Sequence, residues 1–139
     1  MFLIKDIKLQ NFRSYSFKDL KTDHHVICIV GPNGSGKTNI LEAISLVLDK
    51  KGIRGATIED CIKKNSKDKT IISSIIRYDD KDYKADVFFE LKENKIKRSL
   101  NIDNNKSSLT EFLKDITFVW LTPQMDRIMY EGDLSLIHI

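Results

Sequence analysis

The stretch Val26-Ile27-Cys28-Ile29-Val30-Gly31-Pro32-Asn33-Gly34-Ser35-Gly36-Lys37-Thr38-Asn39-Ile40-Leu41 decides how this chain is read. Its middle satisfies G-x-x-x-x-G-K-[ST], with Gly31, Gly36, Lys37 and Thr38 in the fixed places. The apolar run 26–30 predicts a short buried parallel strand. Apolar residues at Ile40, Leu41, Ile44, Val47 and Leu48 predict one face of a helix that begins near Gly36. Strand, glycine loop and helix in that order make a phosphate-binding arrangement.

Glycines at 31, 34 and 36 let successive backbone N–H groups turn inward around an anion. The helix start adds unpaired N–H groups and the positive end of its dipole. In this motif Lys37 reaches the β- and γ-phosphates and the Thr38 hydroxyl ligates Mg²⁺. The plainer reading is a glycine-rich turn before an ordinary helix; a match at all four fixed positions between an apolar run and a helix argues against it.

The totals set outer bounds. A chain of 139 residues is one domain or part of one. Hydrophobic residues at 41% and charged residues at 31% read as soluble and globular. No apolar run approaches the ~20 residues of a membrane span. Met1-Phe2-Leu3-Ile4 meets Lys5 and Asp6 at once, so no signal-peptide core is visible. Cys28 is expected in the buried strand and Cys61 in a helix; without metal-ligand spacing they suggest reduced thiols in the cytoplasm. A net charge of +3 permits nucleic-acid binding without arguing for it.

Working outward from the loop, Ile7 and Leu9 alternate with Lys8 and Gln10, which predicts a strand over the first dozen residues. Asn11-Phe12-Arg13-Ser14-Tyr15 follows, then a second short strand over 16–20. His24 and His25 read as a solvated turn rather than metal ligands. Lys50-Lys51-Gly52 should stop the helix. A short helical stretch is expected over 58–62. The lysine-rich 63–69 reads as a polar loop, either a solvated surface or a phosphate-tracking patch. Tyr83, Ala85, Val87, Phe89 and Leu91 alternate with polar residues, as do Ile96, Leu100 and Ile102. With 71–78 these predict a three-stranded antiparallel meander, turning at 79–81 and 92–94, with a further turn at 103–105. Ser108-Leu109-Thr110-Glu111 is a capping box for a short helix. The apolar run 116–121 is expected to pair beside 26–30, with Trp120 in the core.

Three separated segments carry a family resemblance. Asn11-Phe12-Arg13-Ser14-Tyr15 resembles the N-terminal motif of RecF and SMC-type heads, and Gly31 to Asn39 resembles their Walker A loop. Val119-Trp120-Leu121-Thr122-Pro123-Gln124-Met125-Asp126-Arg127 is similar to the stretch of the RecF family that leads into its second lobe. The resemblance implies an α/β fold: a P-loop NTPase of the ATP-binding-cassette type, head lobe I with an antiparallel β meander, and an incomplete domain. It implies ATP and Mg²⁺ held by Gly31, Pro32, Asn33, Gly34, Ser35, Gly36, Lys37, Thr38 and Asn39, with Thr38 and Gln124 on the metal. Arg13 either lies near the nucleotide or is a surface arginine after a strand. The implied setting is cytoplasmic DNA replication, repair and the SOS response to DNA damage. Its partners would be single-stranded and gapped duplex DNA, an ATP-dependent homodimer and recombination mediator proteins, with no membrane.

The chain also departs from that pattern. No signature segment, Walker B carboxylate pair or switch histidine follows Gln124, so ATP hydrolysis by this stretch is not expected. Residues 1–132 read as the lobe itself. Residues 133–139 read as a non-native tail, because Leu134-Ser135-Leu136-Ile137-His138-Ile139 is what CTG TCT CTT ATA CAC ATC encodes, a string resembling a sequencing-library adapter. The other reading of that tail is a genuine short apolar strand. Two further functional classes stand beside the first: the head of an SMC-type structural ATPase, and a P-loop kinase acting on a small molecule.

Overall fold

The computed structural model describes residues 2–49, 52–53, 61, 69–92, 95–106 and 116–122. Alternation writes most of the sheet. Strands β1 (Phe2–Phe12) and β2 (Tyr15–Lys21) form a hairpin, followed by helix α1 (Lys37–Leu48). Then come β3 (Thr70–Tyr78), β4 (Lys81–Lys92), β5 (Lys95–Ile102) and the two-residue β6 (Asn105–Lys106). They join in one antiparallel sheet of order β2-β1-β3-β4-β5-β6.

Two tight turns set the register of the meander. Asp79 and Asp80 have φ of 48° and 61° between the paired residues Tyr78 and Lys81. Asp103 and Asn104 have φ of 49° and 67° between Ile102 and Asn105. Positive φ at both central residues gives a backbone twist that matches the flanking strands, and Asp and Asn tolerate it better than most side chains. In β1 the register slips between Ile4 and Asp6, so Lys5 is the extra residue of a bulge. That extra residue keeps Ile4, opposite Ile76, on the same face as Ile7 and Leu9.

One face of the sheet packs on the helix. Leu9, Phe12, Ile72, Ile76, Val87 and Phe89 are buried against Ile40, Ala43, Leu46 and Val47 of α1. Each large side chain fully buried there stabilises the fold by about 1.5–3 kcal/mol. The buried face of α1 is rotated from the one expected: Leu41 is 44% exposed, while Glu42 and Ser45 are fully buried. The far end of α1 is tied down by Arg98 of β5, whose Nη2 donates to the Leu46 carbonyl at 2.7 Å. Burial pushes the Arg98 guanidinium down from its ordinary range. At Gly52, φ of +64° coincides with close approach to Leu46, whose Cδ2 would lie 2.9 Å from a Cβ.

Two expected core strands are not strands. Residues 26–30 run outside the sheet, Val26 is 87% and Val30 82% exposed, and Cys28 is exposed rather than buried. A run apolar at every position needs partners on both sides and both faces. The antiparallel sheet ends at β2 and β6, and no described strand pairs with 26–30, so Ile29 alone of that run packs on the core. Residues 116–121 likewise form no strand beside 26–30. Ile116, Phe118 and Trp120 pack against the core, with the Phe118 ring edge-on to Phe2 at 5.5 Å, while Val119 and Leu121 stay exposed. Cys61 is helical, as expected, and it is buried. The rest of the 58–62 helix, the 63–68 loop, the capping-box helix, Gln124 and residues 133–139 lie outside the described residues.

Candidate phosphate-binding site

The loop 31–36 leads directly into α1, and its shape follows from its glycines. Gly34 has φ of +81° and a Cβ there would meet nothing within 4 Å, so glycine is needed for conformation alone. Gly36 is the N-cap of α1 with φ of 91° and ψ of 7°. No side chain caps this helix start, and no acidic residue lies in its first turn. The positive end of a 12-residue helix is therefore presented together with the glycine loop.

Lys37 extends back over the loop. Its Nζ donates to the carbonyls of Gly31 and Pro32, each at 2.7 Å. Ser35 N–H donates to the Pro32 carbonyl at 3.2 Å, closing a turn through Pro32, Asn33, Gly34 and Ser35. Thr38 is exposed on the first turn of α1, beside Lys37. A flexible glycine turn, an uncapped helix start and an ammonium folded over the loop are the features a polyphosphate requires. The residues present fit a nucleoside triphosphate. Among the described residues no group of three or more His, Cys, Asp or Glu side chains could hold a metal by itself. Thr38, exposed beside Lys37, is the described residue here that could serve as a ligand to a Mg²⁺ shared with phosphates. His24 and His25 are exposed, as a solvated turn should be.

The segment Asn11-Phe12-Arg13-Ser14-Tyr15 lies against this loop and helix. Arg13 is not directed at the loop: its Nε and Nη2 donate to Glu42 Oε2 and Oε1 at 2.5 and 2.6 Å. Glu42 is fully buried, and the Arg13 side chain is 20% exposed. Asn39 turns the same way, its Nδ2 donating to Ser14 Oγ at 3.0 Å. The Tyr15 hydroxyl donates to the Ser35 carbonyl at 3.2 Å. Of the residues expected at the site, Gly31, Pro32, Asn33, Gly34, Ser35, Gly36, Lys37 and Thr38 form one loop and helix start. Arg13 and Asn39 join them through Glu42 and Ser14. Sequence reading missed Glu42, Ser14 and Tyr15. The signal available for Glu42 was a lone carboxylate inside Ile40-Leu41-Glu42-Ala43-Ile44, an otherwise apolar stretch of helix.

The sequence pattern of the RecF/RecN/SMC N-terminal domain matches residues 3–117. A curated relative called DNA replication and repair protein RecF, from Rickettsia akari (strain Hartford), is 37% identical over 129 residues. That alignment covers 93% of this chain and 35% of the relative. The protein of the same name from Rickettsia bellii (strain OSU 85-389) is 38% identical over 124 residues, covering 89% and 34%. The chain thus spans about a third of the length of these relatives. Among solved structures, the recombination mediator protein RecF of the RecFOR pathway, described as RecF-ATPrS, superposes with a TM-score of 0.78 at 26% identity. The match covers 94% of this chain and 35% of that one. A second, described as RecF-ATP, gives the same score and identity.

Proposed function

Because this chain belongs to the RecF/RecN/SMC N-terminal domain family, we propose that it supplies the ATP-binding part of a RecF-like DNA replication and repair protein. The observation that carries the reading is Lys37, folded over a glycine loop at an uncapped helix start. The backbone of Gly31, Pro32, Asn33, Gly34, Ser35 and Gly36 would cradle the phosphates, and Lys37 would neutralise two of them as a point charge. Thr38 would ligate Mg²⁺, which supplies further charge neutralisation between phosphates, and Gln124 is assigned to the same ion. Asn39 and Arg13 hold the helix that bears these groups. Residues 1–132 act as the lobe that carries the site.

In this reading the intact protein works in the cytoplasm on single-stranded and gapped duplex DNA, in DNA repair and the SOS response to damage. It dimerises when ATP is bound and cooperates with recombination mediator proteins. The support is the kinship with proteins called DNA replication and repair protein RecF, and the likeness to solved RecF structures described with ATP. No helix among the described residues is long and apolar enough to cross a membrane. The SMC-type structural ATPase and the small-molecule kinase are not favoured, since the named relatives and superposed structures are RecF proteins.

Calorimetric titration with MgATP tests the site. The wild-type protein should bind, Lys37→Ala should not, and Thr38→Ala should lose the Mg²⁺-dependent part of the affinity. Equal titration curves for wild type and Lys37→Ala would overturn the assignment. Binding to a gapped duplex, measured with and without ATP, tests the DNA half of the proposal; ATP-independent affinity would refute it.

A further inference from the structure

We infer that the turn between β1 and β2 is a brace for the phosphate loop, in which Tyr15 is a positioning residue that aims the Gly36 amide at a bound phosphate. The inference rests on the nucleotide-binding reading above and goes beyond it in naming what fixes the loop.

The turn itself is strained. Asn11 and Arg13 have φ of 51° and 52°, a left-handed conformation that side chains other than glycine rarely adopt. Such residues persist where their surroundings over-determine them, and they gather where strain is useful. Here the surroundings are visible. The Asn11 carbonyl accepts from Thr70 Oγ1 at 2.8 Å, and the Arg13 N–H donates to the Cys61 carbonyl at 3.1 Å. The Arg13 guanidinium is held by both oxygens of buried Glu42. Three elements thus clamp the turn, and what it presents outward is Ser14 and Tyr15.

The Tyr15 ring then meets the loop at one peptide unit. Its hydroxyl donates to the Ser35 carbonyl, and a Cβ on Gly36 would fall 2.8 Å from Tyr15 Cζ. The Ser35–Gly36 peptide is planar and trans, so its C=O and N–H point in opposite directions. Holding the Ser35 oxygen on Tyr15 therefore turns the Gly36 N–H to the opposite side. A flip of this peptide would aim a carbonyl where an amide is wanted, and an anion would meet the wrong dipole. Gly36 is glycine for two reasons: its φ of +91° and the tyrosine seated on it.

Tyr15→Phe tests the idea, because it keeps the ring and removes only the hydroxyl. Three measurements on wild type and variant decide it: the ¹H–¹⁵N resonance of Gly36 without nucleotide, the affinity for MgATP, and the thermal midpoint without nucleotide. The brace predicts a shifted or exchange-broadened Gly36 amide and MgATP affinity weakened about three- to ten-fold, the range a single neutral hydrogen bond commands. It also predicts a melting midpoint within about 2 °C of wild type, because the exposed Ser35 carbonyl can accept from water instead. An unchanged Gly36 resonance overturns the brace whatever the affinity does. So does an affinity loss accompanied by a matching loss of thermal stability, which would mark Tyr15 as merely structural. If wild type fails to bind MgATP while the Gly36 amide responds to Tyr15→Phe, the nucleotide reading falls and the brace stands.

Discussion

Replacing Arg13 by methionine isolates the charge pair that joins the β1–β2 turn to α1. Methionine keeps much of the apolar stem and removes the guanidinium. Glu42 is fully buried, and both its oxygens accept from Arg13. Stripping one partner from a buried pair costs about 3–5 kcal/mol. A domain has only about 5–15 kcal/mol in all, so a large share is at stake. With a urea slope of about 2 kcal/mol/M, the unfolding midpoint should fall by about 2 M with the slope unchanged. The paired change Arg13→Met with Glu42→Leu should recover most of that loss, since apolar groups of similar size replace a buried pair at little cost. A single-variant loss below about 1 kcal/mol, the range of an exposed ion pair, would refute the argument. So would a double variant no better than the single one.

Two other expectations concern pH and salt. Hydrogen bonds from Arg77 and then Lys5 hold the Asp82 carboxyl at about 2, below its ordinary 3.8. A depressed carboxyl stabilises the fold above the unfolded value, and that contribution is lost as pH falls through the folded one. The gap in thermal midpoint between wild type and Asp82→Asn should therefore narrow from about pH 4 to pH 2, and curves that stay parallel throughout would contradict it. For DNA, replacing Lys63, Lys64 and Lys67 by glutamine should reduce the log–log salt slope of binding by up to about 3 if they track phosphates. Lys69 should add less, because Glu90 already holds it; an unchanged slope would mark the loop as ordinary solvated surface.

The meander was readable because its strands obey a period of two and its turns are written in Asp and Asn. The loop and helix were readable because glycine spacing and a 3.6 period reinforce each other. What the sequence hid was partnership. Val26, Val30, Val119 and Leu121 look like core residues in any window, yet their burial depends on neighbouring strands that hydrophobicity cannot name. Leu41 and Glu42 exchanged their expected roles, because a carboxylate can be buried when an arginine 29 positions earlier is brought to it. Arg13 read equally as a neighbour of the nucleotide or as a surface arginine, and neither reading named its partner Glu42. Lys5 shows the same limit at smaller scale: one extra residue re-phases β1, and no alternation pattern announces it.

The sheet order carries a consequence for the time course of folding. Strands β3, β4 and β5 are separated by only two residues each and meet their neighbours locally, whereas β1 ends at Phe12 and its partner β3 begins only at Thr70. Contacts separated by so much chain must first meet the entropy of closing a long loop, and they form late for that reason. The phosphate loop and α1 lie inside that loop, so they reach their final setting only when β1 docks on β3. In pulse-labelled refolding, amides of β3 to β5 should gain protection first and those of β1 and α1 afterwards. Simultaneous protection would mean that the long-range pairing nucleates the fold.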